Sequence, residues 1–182
     1  MKSNWILIAI LLIMILSGPA VAKEGAYFGL GMVENIILSD DVDFVEDAYG
    51  PNIFVGYKFR PLGVEVDWVS SEHQGHIRKA DADLTGFSLN FIVPILSRDE
   101  RSESYLLGGY GLYKFDLSNG NELEGNGYNL GVGIDHYFNE RVAQVVRIMY
   151  RYIDYDKANN PTVPTPLEGN VFTVEIGFKH YF

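Results

Sequence analysis

The amino-acid sequence contains no cysteine, and basic side chains are in the minority. The lack of cysteine excludes a disulfide framework, a thiolate metal site and a lipid-modified N-terminal cysteine. The 14 lysines and arginines stand against 24 aspartates and glutamates, which gives a formal net charge of -10. A chain this acidic lacks the basic field that attracts nucleic acid, so we expect no nucleic-acid partner. Its 182 residues suit a single domain.

Long apolar runs are also scarce, since the one clear example is residues 5–16. This run is shorter than the ~20 residues of a membrane-spanning helix, and residues 20–22 (Ala-Val-Ala) follow it as a small-x-small cleavage pattern. We therefore predict a cleaved signal peptide over residues 1–22 and a mature domain over residues 23–182, with a retained anchor helix as the alternative. An exported chain without a second such run is periplasmic, secreted or a membrane barrel.

Apolar and polar residues alternate along the rest of the chain, most clearly between Phe172 and Phe182. A period of two is typical of a strand, because successive side chains of a strand point to opposite faces. The pattern predicts eight strands, at about residues 26–33, 52–59, 63–70, 84–93, 104–115, 127–138, 142–155 and 172–182. The phase of the fifth strand stays open, because Tyr105, Leu106 and Leu107 offer apolar side chains to both faces.

The predicted connections alternate between short and long, as in barrels whose termini both lie in the periplasm. Tight turns are expected at residues 60–62 and 139–141, and a somewhat longer turn at residues 96–102. Four long polar loops are predicted at residues 35–49, 71–83, 116–126 and 156–169. Strands of about 8 to 12 residues are long enough to cross a bilayer at a tilt. The predicted fold is all-β: an eight-stranded antiparallel up-and-down transmembrane β-barrel.

The less apolar face of the predicted strands favours a membrane barrel over a soluble barrel, whose apolar face points inward. That face is rich in glycine, which relieves crowding in an interior just wide enough for the side chains of eight strands. It also carries as many basic as acidic residues, as expected where enclosed charges must be paired. The predicted lumen charge network consists of Lys58, Glu65, Asp67, Asp135, Arg147, Arg151, Glu175 and Lys179. Arg147 or Arg151 is expected to pair inside the barrel with one of the carboxylates of Glu65, Asp67, Asp135 or Glu175. Arg147 and Glu175 are attractive partners, because their strands are adjacent and both residues lie near mid-strand.

The last predicted strand resembles the terminal recognition signal that the barrel-assembly machinery reads in bacterial outer-membrane proteins. The signal residues would be Phe172, Val174, Ile176, Phe178, His180 and Phe182. The family usually has an aromatic residue two places before the final phenylalanine, where this sequence has His180. Aromatic residues near the strand ends are expected at the membrane interfaces: Tyr57, Phe59, Trp68, Phe138, Tyr150, Tyr152 and Phe182.

The mature chain as a whole resembles the small outer-membrane β-barrel family that includes the OmpA transmembrane domain, OmpX and OmpW. The residues that carry this resemblance are Tyr27-Phe28-Gly29-Leu30-Gly31, Val55-Gly56-Tyr57, Tyr105 through Gly111, Gly131-Val132-Gly133 and Tyr150-Arg151-Tyr152. The resemblance implies a location in the outer membrane of a Gram-negative cell after export across the inner membrane. It implies outer-membrane lipid, lipopolysaccharide and the barrel-assembly machinery as partners, and leaves surface ligands of the loops open.

Candidate catalytic residues are few in this sequence. A lipid A deacylase of the barrel type needs a serine and a histidine close together on one strand. Neither His136 nor His180 has a serine two residues away. A palmitoyltransferase-like site would gather histidine, aspartate and serine at the outer rim of the barrel. The second predicted long loop offers such residues, as any polar loop would: His73 and His76, with Ser70, Ser71, Asp81 and Asp83 nearby. We therefore expect no catalytic residue and no enzymatic activity.

Metal-ligating patterns are equally weak. His73 and His76 are two ligands in a predicted loop, whereas structural sites usually show four. The acidic run from Asp40 to Asp47 could hold Ca²⁺ but lacks the spacing of a calcium loop. His76, Arg78 and Lys79 are candidates to contact lipopolysaccharide phosphate. We expect no cofactor and no resident metal, and leave divalent binding by the acidic loop open.

These observations predict a non-enzymatic integral outer-membrane protein with a structural or surface-interaction role in the cell envelope. One alternative is a narrow channel for small or hydrophobic solutes, as in OmpW-like members. Others are an adhesin that acts through long extracellular loops and a lipid A-modifying enzyme. A lumen filled by tyrosine, arginine and acidic side chains argues against a wide pore.

Overall fold

The computed structural model describes residues 24–38, 47–59, 62–75, 81–99, 101–161 and 165–182. They form a closed barrel in which each strand pairs antiparallel with its neighbour along the chain, and the first pairs with the last. The strands are β1 (Gly25–Ile37), β2 (Ala48–Phe59), β3 (Leu62–His73), β4 (Ala82–Asp99), β5 (Ser102–Leu117), β6 (Glu122–Tyr137), β7 (Val142–Ala158) and β8 (Leu167–Tyr181). The predicted eight-stranded up-and-down fold is confirmed.

The first 22 residues, predicted to be a signal peptide, lie outside the described part of the chain. The described residues form no helix that is long and apolar enough to span a bilayer.

The two ends of the barrel differ in the length of their connections. At one end, two residues separate Phe59 from Leu62. At the other end three of the four connections are longer, up to residues 38–47 between β1 and β2. We call these the turn end and the loop end. The start of β1 and the end of β8 both lie at the turn end.

The strands extend farther toward the loop end than the sequence pattern predicted. β4 to β7 contain 16 to 18 residues, whereas β1 to β3 contain 12 or 13. The loop predicted at residues 71–83 is shorter than expected, at residues 74–81, because β3 continues to His73 and β4 begins at Ala82. The loops predicted at residues 35–49 and 156–169 are shortened in the same way. The barrel wall is therefore tallest where β4 to β7 form it.

The connection between β5 and β6 shows the largest correction. The predicted long loop at residues 116–126 is a turn of four residues, 118–121. The Leu117 carbonyl accepts a hydrogen bond from the Gly120 amide at 2.9 Å. Gly120 has a φ of 86°, in the left-handed region that glycine adopts without steric cost. A tight hairpin turn thus joins two of the tallest strands.

The structure also settles the phase of β5, which the sequence left open. Glu103 and Tyr105 point into the barrel, whereas Leu106 is 45% exposed on the outside. Only two residues separate β4 from β5, so the turn predicted at residues 96–102 is shorter than expected.

Along most of their length, the strands present apolar side chains outward and polar or small ones inward. On β6, Val132 is 49% exposed on the outside, while Asn129 and Asp135 are buried in the lumen. Inward glycines make room for larger neighbours: a Cβ added at Gly133 would overlap the Tyr105 ring. This polarity is the reverse of a soluble barrel and is typical of a barrel surrounded by lipid.

Near the loop end, the two faces exchange their polarity. On β6, Glu122 and Glu124 point outward, while Leu123 is 2% exposed and faces the interior. On β5, Lys114 points outward and its neighbour Phe115 is buried. On β4 to β7 the wall therefore has the polarity of a membrane barrel along most of its height and that of a soluble barrel at the loop end, whereas β1 and β3 keep Asn35, Ser71 and His73 inside.

Candidate functional site: a filled barrel lumen

The lumen is where the structure places the charged residues that the sequence singled out. The structure buries all eight of the predicted network: Lys58, Glu65, Asp67, Asp135, Arg147, Arg151, Glu175 and Lys179. They come from β2, β3, β6, β7 and β8, whose inward positions converge on the barrel axis.

Arg147 lies at the centre of this network, and Glu65 is its main partner. The pair is bidentate, with 2.7 Å between Arg147 Nη1 and Glu65 Oε1 and 2.6 Å between Nη2 and Oε2. The expected partner Glu175 is more distant, at 3.5 Å from Nη1. Arg147 Nε donates to the Tyr105 hydroxyl at 2.9 Å, and the Tyr27 hydroxyl donates to Glu65 at 2.8 Å. Such geometry is what a buried ion pair needs to offset its desolvation.

Asp67 is the centre of a second group, one step nearer the loop end. Its Oδ2 lies 3.5 Å from Arg151 Nη2, and its Oδ1 accepts hydrogen bonds from Ser88 and, at 3.2 Å, from Asn90. Asn129 then donates to Asn90 at 3.1 Å. Side chains from β4 and β7 therefore bond to the buried carboxylate on β3, and β6 supports them through Asn129.

Two lysines form the third group, toward the turn end. Lys179 Nζ lies 2.9 and 2.7 Å from the two carboxylate oxygens of Asp135. Lys58 pairs with Glu103 and donates to the Tyr137 hydroxyl at 3.0 Å. Glu103 could not be assigned to the lumen from the sequence, because the alternation leaves the phase of its strand open. With Glu103, the described lumen holds five carboxylates and four basic groups, so the expected balance of zero is corrected to -1.

Apolar and aromatic side chains occupy the rest of the lumen. The loop end contains a cluster of Ala82, Leu84, Tyr113, Phe115, Leu123, Ile153, Tyr155 and Val171. The turn end contains a cluster of Tyr27, Phe54, Tyr137, Ala143, Val145 and Tyr181. A cavity lined by Lys58, Tyr105 and Lys179 has a volume of only about 10 Å³, space for one water molecule. The described part of the lumen is therefore filled along its length.

Ser71 and His73 lie inside the barrel rather than in a solvated loop, which corrects the sequence-based expectation. Both are about 1% exposed. Ser71 Oγ lies 2.9 Å from His73 Nε2 and accepts a hydrogen bond from Asn35 Nδ2 at 2.9 Å. Asn35 Oδ1 in turn accepts one from Thr173 at 2.7 Å. The arrangement links β8, β1 and β3 by a chain of hydrogen bonds inside the barrel.

A second serine–histidine contact occurs near the turn end. Ser102 Oγ lies 3.1 Å from His136 Nδ1, because the two residues are register partners on β5 and β6. The His136 ring also packs edge-on against Phe138. Spacing along the sequence could not reveal a contact that depends on strand register. Among the described residues, no three histidine or carboxylate side chains are close enough together to hold a metal ion.

Tyrosines mark the outward face where the polarity exchange begins. Tyr150 donates a hydrogen bond to Asn170 at 2.7 Å, and Tyr110 donates one to Asn126 at 2.6 Å. Tyr110 also stacks edge-on against Tyr128. The structure places the remaining predicted interfacial residues on the outward face as well: Tyr57, Phe59, Trp68, Phe138, Tyr152 and Phe182.

The residues of the predicted assembly signal share the outward face of β8 and its end: Phe172, Val174, Ile176, Phe178, His180 and Phe182. The predicted acidic loop is described only at Asp47, which accepts a hydrogen bond from the Ile37 amide at 3.2 Å. His76, Arg78 and Lys79 lie outside the described residues.

Solved structures of small outer-membrane barrels share this fold. The structure is similar to that of Neisserial surface protein A (NspA), with a TM-score of 0.66 and 18% identity over 87% of this chain and 97% of that chain. The structure of OprG from Pseudomonas aeruginosa is similar with a TM-score of 0.60 and 17% identity, over 89% of this chain and 98% of that chain. The structure of Ail of Yersinia pestis, in complex with the heparin analogue sucrose octasulfate, is similar with a TM-score of 0.56 and 19% identity, over 88% of this chain and 100% of that chain. At these identities the likeness shows the fold alone.

The sequence itself gives a second comparison. Among curated protein sequences, no match is found. A family model for the outer membrane protein beta-barrel domain matches residues 8–179, nearly the whole chain. That match agrees with the closed barrel and its apolar outward face, and it confirms the resemblance drawn from the sequence. The chain therefore belongs to the outer membrane protein beta-barrel family and is an integral protein of the outer membrane.

Proposed function

We propose that this protein is a non-enzymatic, non-conducting barrel with a structural or surface-interaction role in the cell envelope. It anchors a rigid wall of β-structure, the loop-end parts of β4 to β7, above the lipid on the outside of the cell. The observation that supports this proposal best is the filled lumen. Ion pairs in the middle and apolar clusters at both ends occupy the lumen that the described residues form, and the cavity between Lys58 and Lys179 measures only about 10 Å³.

Passage of small solutes is the main competing function. OprG shares the fold at 17% identity, and nothing about transport follows from that. A solute crossing the lumen would have to displace Phe115 and Tyr155 at the loop end, both at most 2% exposed. Close-packed side chains resist such displacement.

Planar-bilayer recording of the refolded full-length protein tests this proposal. We expect no steady current above that of protein-free bilayers. A wide-pore porin, refolded and recorded in the same way, provides the positive control, because its open lumen shows that the recording detects a current. A steady current from the unmodified protein would overturn the proposal.

A surface partner that binds the outward wall of β4 to β7 would need a charge complementary to the charge of that wall. The outward positions there carry six carboxylates and two ammonium groups: Asp83, Asp116, Glu122, Glu124, Asp154, Asp156, Lys114 and Lys157. Sucrose octasulfate, which the Ail structure contains, is a polyanion. This acidic wall disfavours such a ligand and favours a cationic partner or a bridging divalent cation.

We also propose two steps of biogenesis. Residues 1–22 would be removed as a signal peptide, for which an N-terminal sequence that starts at Lys23 in the outer-membrane form is the test. The outward residues of β8, from Phe172 to Phe182, would be read by the barrel-assembly machinery. Phe178→Asp should then lower the folded amount in cells more than it lowers refolding of the purified chain.

A further inference from the structure

Each basic group that the described residues place in the lumen has a carboxylate of its own. The pairs are Arg147 with Glu65, Arg151 with Asp67, Lys179 with Asp135 and Lys58 with Glu103. Glu175 is the carboxylate that remains. Its Oε2 atom lies 3.5 Å from Nη1 of Arg147, whose guanidinium group already forms two shorter hydrogen bonds to Glu65. An ionised Glu175 would therefore be a negative charge without a full counter-charge.

The surroundings of Glu175 cannot compensate for such a charge. Its side chain is 0% exposed and lies near the middle of β8, out of reach of solvent. Three basic groups act on it electrostatically, and each is already paired with another carboxylate: Arg147, Arg151 and Lys179. The inward positions of β1 and β2 at this height carry no charge, since they are Gly31, Val33 and Asn52. A carboxylate buried without compensation becomes neutral rather than remaining charged.

Asn52 is placed to accept a hydrogen bond from a neutral Glu175. It is 0% exposed, and neither its Oδ1 nor its Nδ2 forms a hydrogen bond with another described residue. Oε1 of Glu175 is also buried without such a bond. Gly31 is the cross-strand partner of Asn52, and a Cβ added to Gly31 would lie 3.1 Å from Oε1 of Glu175. Because the Cβ atoms of direct cross-strand partners are about 5 Å apart, Asn52 and Oε1 are neighbours in the lumen.

We propose that Glu175 is a neutral carboxylic acid in the folded barrel and that its Oε1–H donates a hydrogen bond to Oδ1 of Asn52. The proton comes from solvent when the barrel folds, and it leaves four carboxylates opposite four basic groups. An amide N–H of Asn52 could instead donate to an ionised Glu175. That arrangement would satisfy Oε1 but would keep the unbalanced negative charge in the lumen.

A bound metal cation would also balance this charge, but the site does not suit one. Hard metal cations take about six to eight oxygen ligands. The unpaired oxygens that the described residues offer here are Oε1 of Glu175 and Oδ1 of Asn52. Two oxygens are enough for a proton, which lies between a donor and an acceptor. The lumen would then be neutral without a mobile counter-ion.

Infrared spectroscopy of the full-length folded protein at neutral pH, in a detergent without ester groups, tests this proposal. A protonated carboxylic acid has a carbonyl band that ionised carboxylates lack, and exposed carboxylates are ionised at this pH. We expect such a band from the natural protein. Glu175→Gln should remove the band, and the exposed Glu124→Gln should keep it. Absence of the band from the natural protein, or its survival in Glu175→Gln, would overturn the proposal.

Asn52→Leu tests the hydrogen bond separately from the proton. The band should move to higher wavenumber, because the acid loses the acceptor of its O–H group. Asn126→Leu is the matched control on the outward face and should leave the band in place. An unshifted band in Asn52→Leu would contradict the role of Asn52. Neither spectrum depends on bilayer conductance, so this proposal and the proposed non-conducting role can fail separately.

Discussion

Glu65 receives two hydrogen bonds from Arg147 in a part of the lumen where both side chains are about 1% exposed. Removing one partner of such a pair leaves a buried charge without compensation, which costs about 3–5 kcal/mol. We predict that Glu65→Gln lowers the free energy of unfolding, measured in urea with the barrel in lipid vesicles, by an amount of this order. The exposed pair of Lys114 and Asp116 provides the control.

Asp116→Asn should change the free energy of unfolding by about 0–1 kcal/mol, because solvent screens an exposed ion pair. Equal effects of Glu65→Gln and Asp116→Asn would show that the lumen network is no more stabilising than a surface pair.

Ser71 provides a test of the non-enzymatic proposal at the scale of one residue. Its contact with His73 resembles a nucleophile and its base, but both side chains are buried among packed residues. We predict that overexpression of the natural protein and of Ser71→Ala yields the same lipid A mass spectrum. A change in lipid A mass that requires Ser71 would contradict the prediction and make Ser71 a nucleophile.

Residue types and periodicity predicted which charges would be inside but not how they pair. Lys58 and Arg147 were placed inward because their strands alternate clearly. The principal partner of Arg147 could not be read from adjacency of strands, because Glu65 reaches it across the lumen from β3. Glu103 was missed because two leucines follow Tyr105 and obscure the phase of its strand.

The strand is the scale at which the change of polarity appears. Outward residues are apolar where the strand faces lipid and charged where the strand extends above the lipid. Inward residues show the opposite change, from polar to apolar. On β6, outward Val132 lies in the lipid-facing part and outward Glu124 in the part above. The same face of one strand is therefore expected to tolerate a charge at one height and not at the other.

We predict that Val132→Lys lowers the free energy of unfolding from vesicles by about 2–4 kcal/mol, the cost of a basic residue near the bilayer midplane. Glu124→Lys on the same face should lower it by no more than about 1 kcal/mol, the cost of setting like charges opposite Lys114 and Lys157 at an exposed position. Equal losses at the two positions would mean that the lipid-facing band extends to the loop end.

This change of polarity explains why the strands were predicted too short. Leu84, Phe115 and Leu123 are apolar at inward positions, so the alternation shifts phase where each strand leaves the membrane. A segment that shifts phase and gains charge has the composition of a loop. The number and order of the strands were predictable, because each has several uninterrupted repeats in its lipid-facing part. The residues at which the strands begin or end near the loop end were not predictable.

The whole molecule combines a membrane barrel with a soluble-type extension. The ion pairs fill the part that lipid surrounds, and the cluster around Phe115 and Leu123 fills the part above. Such a molecule is suited to holding a surface at a fixed height above the membrane. Its position in the outer membrane follows from its family, and the height of its wall follows from strand register.

Single-cysteine labelling in intact cells tests this account most directly, because the natural chain has no cysteine. A membrane-impermeant maleimide should label Glu124→Cys, which points outward above the lipid. It should not label Leu123→Cys, at the same height but inside, nor Val132→Cys, on the same face but in the lipid. Labelling of Val132→Cys, or of Leu123→Cys in place of Glu124→Cys, would contradict the account.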